Sequence, residues 1–151
     1  QPADETPSQN RFRLQEEAAL RGVAVDGQGR SQASMGIATG DFNRDQYLDI
    51  FITNFYDELN VVYLNSKGGA FIDASAKMGM AYPNKRTLGF GAQAADLDRD
   101  GYLDLVILNG HVDDFSNEGK PFAQLPEIFI GTSDGFQPVD GKQIGKYFQE
   151  P

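Results

Sequence analysis

DFNRDQYLD (41–49) and DLDRDGYLD (96–104) are two copies of one nine-residue pattern, set 55 residues apart. Its first, third, fifth and ninth places carry side-chain oxygens. These are Asp41, Asn43, Asp45 and Asp49 in the first copy, and Asp96, Asp98, Asp100 and Asp104 in the second. Alternate residues of a tight loop can turn their oxygens toward one centre, and a hard cation such as Ca2+ takes about 6–8 oxygens at roughly 2.3–2.6 Å. The seventh place, Tyr47 or Tyr102, is expected to add its backbone carbonyl. Gly101 in the sixth place suits a sharp turn, because glycine enters left-handed backbone space without steric cost. Gln46 stands there in the first copy, so the first site is expected to be weaker or more strained. An EF-hand is excluded, since its twelfth place needs a bidentate Glu and these copies have Ile52 and Ile107. One such stretch alone could be a polar turn. Two in register, holding seven carboxylates that would repel one another if uncompensated, point to Ca2+ at both.

The register extends outward from the loops. Met35-Gly36 lies over Phe90-Gly91, and LDIFITN (48–54) over LDLVILN (103–109). VVYLNSKGGAFID (61–73) resembles EIFIGTSDGFQPV (127–139) at an offset of about 65, so the second copy holds an insertion, placed in NGHVDDFSNEGKPFAQLP (109–126) and expected to be a loop. Each copy then ends on a Phe followed by a Gly: Phe71 to Gly79, Phe136 to Gly145 and, as the tail of an earlier copy, Phe12 to Gly22. Strands are expected at roughly 36–41, 48–54, 60–65 and 70–75, and again at 91–96, 103–109, 127–131 and 135–139. Alternation is clearest where Leu48, Ile50 and Ile52 take one side and Asp49, Phe51 and Thr53 the other. Turns at 67–69 and at Ser133-Asp134-Gly135 join the last two strands of each copy. Four antiparallel strands repeated at this period describe an all-β fold of propeller blades. Only 12–21 reads as helical, with Glu16, Glu17, Arg11, Arg13 and Arg21 on a solvated face. The resulting division is a polar leader (1–11), the tail of a preceding blade and its connection (12–30), blade 1 (31–85), blade 2 (86–145) and a C-terminal tail (146–151).

The 151 residues, 40% hydrophobic with 17 Gly and 7 Pro, fit a folded and turn-rich chain. Twenty-two acidic against 13 basic residues give a charge of −9, which repels phosphate backbones and argues against nucleic acid as a partner. No apolar run nears the ~20 residues that span a bilayer. The absence of Cys removes disulfides, Cys-ligated zinc and thiol nucleophiles, without fixing the compartment.

These residues resemble the FG-GAP/VCBS repeat of integrin alpha-chain propellers and of many bacterial secreted proteins. More closely, SMGIATGDFNRDQYLDIFITNF (34–55), LGFGAQAADLDRDGYLDLVILNGHV (88–112) and the Phe-to-Gly endings resemble the ASPIC/UnbV-type, cartilage acidic protein-like family, over roughly residues 12–145. The resemblance implies a propeller, usually of seven blades, with Ca2+ in the loops between the first two strands of a blade. It also implies an extracellular or periplasmic setting and roles in protein or glycan contact. Gln46 departs from the family's glycine, and two blades are fewer than a propeller needs. A blade buries both faces against neighbours, so this chain is expected to be a fragment or to be completed by further blades or subunits.

Sharper readings compete with these. His111 beside Asp113 and Asp114 could ligate or act as a base, or simply belong to a loop. Gly131-Thr-Ser133-Asp-Gly135 matches a nucleophile elbow, yet is expected to join two strands rather than a strand and a helix. Tyr47, Phe55, Tyr56, Tyr63 and Tyr102 could form a sugar-stacking surface or pack internally. No acid–base pair with recognisable spacing stands outside the loops. A non-catalytic interaction or scaffolding module is therefore the expectation, and a propeller enzyme acting on polysaccharide, as lyase or hydrolase, is the alternative.

Overall fold

A computed structural model describes residues 13–80 and 86–149. The leader 1–11, Phe12 and the stretch 81–85 lie outside the described residues. Two four-stranded antiparallel sheets follow each other along the chain. The first holds β1 (Ile37–Gly40), β2 (Asp49–Ile52), β3 (Val61–Asn65) and β4 (Phe71–Asp73), side by side in chain order. The second repeats the order with β5 (Gly89–Ala95), β6 (Asp104–Asn109), β7 (Glu127–Thr132) and β8 (Gly135–Pro138). All eight expected strands are present. The two sheets are all-β propeller blades, each with its acidic loop between the first two strands.

Register and period-two geometry decide which side chains meet. Phe51 pairs with Ala38 and Val62 across the first sheet, and Leu105 pairs with Ala94 and Phe129 across the second. Residues opposite one another share a face. These two faces oppose each other, so Ala38, Phe51 and Val62 form one core with Leu105, Ile107, Phe129 and Phe136. Met78, Met80 and Phe42 fill the remaining space, and the Phe42 ring meets Phe136 edge-on at 5.5 Å. The core therefore lies between the blades rather than within either one.

The blades approach closely because small residues stand where backbones meet. A Cβ on Gly36 would lie 2.5 Å from the Phe90 carbonyl oxygen, so the innermost strands touch without side chains between them. The Phe-to-Gly endings obey a similar logic. Gly79 has φ 79°, and a Cβ there would lie 2.5 Å from the Phe136 carbonyl oxygen of the next blade. Gly22, at φ 80°, meets Phe71 in the same way at 2.6 Å. Gly79 thus closes the turn after the first blade directly on the last strand of the second, and Gly22 seats the segment before β1 on the last strand of the first.

The helix expected over 12–21 is shorter: α1 spans Ala18–Arg21 and stops at the left-handed Gly22. A turn that must seat Gly22 on Phe71 has no room for a long helix. On the face expected to be solvated, Arg21 pairs with Glu17 at 2.7 Å and its Nη1 also donates to Gly69 O at 3.1 Å, so the pair is half-buried. The insertion 109–126 is more ordered than a plain loop. Bridges Gly110–Ala123 and Phe115–Lys120 make it a small hairpin around a 3-10 turn at Ser116–Glu118. A second short helix, α2 (Gly141–Ile144), follows β8 and is capped by Asp140, whose Oδ1 accepts from Lys142 N–H at 3.0 Å.

Candidate metal centre

Each acidic loop is folded by its own carboxylates. In the second loop, Leu97 N–H donates to Asp104 Oδ2 at 2.7 Å, Gly101 N–H to Asp96 Oδ2 at 3.1 Å and Tyr102 N–H to Asp100 Oδ1 at 2.8 Å. In the first loop, Phe42 N–H donates to Asp49 Oδ2 at 2.9 Å, Gln46 N–H to Asp41 Oδ2 at 2.7 Å and Tyr47 N–H to Asp45 Oδ1 at 3.0 Å. The two patterns match place for place. Left-handed backbone recurs too, at Arg44 and Gln46 in one loop and at Arg99 and Gly101 in the other. Gln46, at φ 73°, holds the conformation for which glycine was expected, and a non-glycine residue is strained there.

The ninth place does more than its spacing foretold. Asp49 and Asp104 are both fully buried. Besides the loop N–H, Asp104 Oδ1 accepts Gly131 N–H of β7 at 2.8 Å, and Asp49 Oδ1 accepts Asn65 N–H of β3 at 2.9 Å. Each carboxylate therefore ties its loop to the third strand. Burial pushes the Asp49 carboxyl above the usual carboxylate range, and the charges of Asp45 and Asp41 add to this, while the N–H groups of Asn65 and Phe42 pull the other way.

Carboxylate oxygens of Asp96, Asp98 and Asp104 lie within 4.8 Å of one another, and they are the one such trio among the described residues. Two oxygens on opposite sides of a Ca2+ ion stand about 4.6–5.2 Å apart, so three donors this close can share one centre. All are hard oxygens, and each buried carboxylate oxygen keeps a lone pair beyond its hydrogen bond. The second loop fits calcium, with Asp96, Asp98 and Asp104 as the converging donors. Asp100 and the carbonyl of Tyr102 stand in the same loop, outside that trio. The first loop differs at its third place. Asn43 puts an amide where Asp98 has a carboxylate, and its Nδ2 lies 3.3 Å from Asp45 Oδ2. Asp41, Asn43, Asp45 and Asp49 share a loop, but their carboxylates are not drawn into such a trio.

Residues 41–107 match the FG-GAP-like repeat. The FG-GAP-like stretch opens on Asp41 and runs through the second loop into β6. This agrees with the family expected from the motifs. Over 92 residues, 60% of the chain, the sequence is 34% identical to cartilage acidic protein 1 of Mus musculus and, to the same extent, of Homo sapiens. The matched stretch spans 14% of either relative.

Other residues singled out in the sequence have packing roles. His111 is buried, with the rings of Phe55, Tyr56 and Phe115 edge-on at 5.7, 5.8 and 5.3 Å. Its backbone N–H donates to Phe122 O at 2.8 Å. The histidine thus fastens the second blade's insertion to the loop after β2. Ser133 lies in a two-residue turn between β7 and β8, with no helix after it, so the elbow reading fails. The five aromatics do not share one surface. Tyr63 is buried with its hydroxyl donating to Val25 O at 2.9 Å, Phe55 and Tyr56 pack on His111, Tyr102 lies under Arg44, and Tyr47 is exposed. Sequence reading missed the clip at the end of each LDxxxxN run. Asn54 Nδ2 donates to Leu59 O at 2.7 Å and Asn109 Nδ2 to Leu125 O at 2.9 Å, fixing the entry to the third strand. The signal was present, since both runs end on Asn, but a lone Asn at a strand end has too many uses to be read.

Proposed function

We propose that this chain is a calcium-binding segment of a β-propeller and serves as a non-catalytic protein- or glycan-interaction or scaffolding module, in an extracellular or periplasmic setting. The observation that carries the reading is the convergence of Asp96, Asp98 and Asp104 in a loop already anchored by backbone donors. Such a loop needs little reorganisation to accept a cation. Bound calcium would be held by Asp96, Asp98 and Asp104 in the second loop and more weakly by Asp41, Asn43, Asp45 and Asp49 in the first, with Tyr47 and Tyr102 offering carbonyls. It would supply cross-linking charge rather than chemistry, because the loops sit between strands that it pins.

Further blades of the same build are the proposed neighbours. Leu97 stands in the second loop where Phe42 stands in the first; Phe42 is 4% exposed and Leu97 49%. No following blade covers Leu97 among the described residues, and a flanking sheet would bury it as Phe42 is buried. The charge of −9 argues against nucleic acid as partner, and among the described residues no helix is long and apolar enough to cross a membrane.

The test is a thermal melt with calcium, with magnesium and with chelator. A site saturated a hundredfold over its dissociation constant adds about 2.7 kcal/mol. Calcium should raise the melting temperature well beyond magnesium, and Asp98→Asn should remove more of that rise than Asn43→Ala. An identical melt in all three solutions refutes the reading.

A further inference from the structure

Arg44 is the fourth residue of the first loop, and its guanidinium lies over the ring of Tyr102 in the second, 4.7 Å from the centroid. It also covers Gly101, where an added Cβ would stand 3.8 Å from both terminal nitrogens. Tyr102 is the seventh residue of its loop, the place whose carbonyl is a candidate ligand, and Gly101 supplies the turn before it. The contact therefore spans the groove between the blades, about 590 Å³ and lined also by Asn43, Asp45 and Thr132, and joins one acidic loop to the other. Arg44 itself takes left-handed backbone, at φ 60°.

We propose that Arg44 couples the two loops, so that a cation held by one raises the affinity of the other. This rests on reading both loops as calcium sites. A cation in the second loop would order Gly101 and Tyr102, and with them the ring on which Arg44 rests. Ordering Arg44 fixes the backbone between Asn43 and Asp45, two donors of the first loop, before any ion arrives there. Conformational entropy lost once need not be lost again, which gives positive coupling, and linkage makes it reciprocal. Repulsion between the bound ions opposes this, but it is screened at physiological ionic strength. The device has the period of the repeat. Arg99 holds the same place in the second loop with the same left-handed backbone (φ 66°), and Tyr47, 40% exposed, holds the seventh place in the first. Fourth-place arginine on seventh-place tyrosine can thus pass from blade to blade in one direction.

Calcium titration calorimetry of the full chain tests this with the wild type, Asp98→Ala, Arg44→Gln and the double variant. A cation–π contact at an exposed site corresponds to roughly a two- to fivefold change in affinity. Asp98→Ala, which removes a converging donor from the second loop outright, should weaken the first loop by that factor when Arg44 is present. It should leave the first loop unchanged in the Arg44→Gln background, and Tyr102→Leu should abolish the coupling as Arg44→Gln does. The same weakening with and without Arg44, or none in either, overturns the coupling while leaving the calcium reading intact. Absence of binding heat in the wild type overturns both. Chelator-containing melts of each variant, expected to match the wild type, separate lost coupling from lost folding.

Discussion

Asp104 has no exposed surface, and its two oxygens accept N–H groups from Leu97 and Gly131. It belongs to the fold as well as to the candidate ion site, whereas Asp98 is exposed and its side chain only receives the Asp100 N–H at 3.1 Å. Asp104→Ala leaves two backbone donors unmet and should cost roughly 2–3 kcal/mol in urea unfolding even with chelator present. Asp98→Asn should cost almost nothing under the same conditions and act only when calcium is supplied. Equal losses for the two variants in chelator would assign Asp104 no separate structural role. Glu127 offers a pH signature away from the loops. Burial raises its carboxyl above the usual range, against hydrogen bonds from Asn109 Nδ2 at 2.8 Å and Thr87 Oγ1 at 3.3 Å. The folded chain therefore binds this proton more tightly than the unfolded chain. Its contribution is full at low pH and is lost as pH rises through the folded-state value. Glu127→Gln should melt above the wild type near pH 7, and the difference should vanish toward about pH 4.

At the scale of elements, the recurring feature is the turn that ends on Gly22, Gly79 or Gly145. The first two glycines press on Phe71 and Phe136 of the next blade, while nothing lies within 4 Å of a Cβ built on Gly145. All three have positive φ, so alanine strains each of them, but only at Gly22 and Gly79 does it also strike backbone. Gly79→Ala should therefore destabilise by at least about 2 kcal/mol in chemical denaturation, and Gly29→Ala, at φ 78° with nothing within 4 Å of an added Cβ, by about 1 kcal/mol. Similar losses at both positions would mean that the Gly79–Phe136 contact adds nothing beyond the backbone conformation. The spacing from Phe to Gly was legible in the sequence. That the glycine of one copy rests on the phenylalanine of the next was not, because the contact joins residues some fifty positions apart.

For the molecule as a whole, the core lies in the joint between two sheets, and both outward faces keep apolar side chains. Ile37 and Leu48 look away from the joint on the first blade, at 63% and 65% exposure, and Leu97 and Leu108 on the second, at 49% and 47%. Their counterparts in the joint, Ala92 and Leu103 for the first pair and Phe42 and Thr53 for the second, belong to or line the packed core. Faces of this kind associate. Light scattering of the isolated chain should show a mass that grows with concentration, and Leu97→Lys with Leu108→Lys should reduce that growth without lowering the melting temperature. A concentration-independent monomer mass in the wild type would mean that these faces are satisfied without a partner.

Strand number, strand order, the acidic loops and the hairpin turns were all written locally, in period-two alternation, in Gly and Asp at turns and in a pattern used twice. The sequence by itself therefore determined the blade and located its oxygen-rich loops. Which face of each blade is buried was beyond it. Leu48-Ile50-Ile52 and Leu103-Leu105-Ile107 read alike, yet Leu105 and Ile107 have no exposed surface while Leu48 lies largely in the open. Only the placing of one sheet against the other decides that, and it also decides that Asp104 is a strand tie, that His111 is a packing residue and that Arg44 reaches Tyr102. Burial and long-range contact depend on what lies across a gap in space, and no local pattern records it.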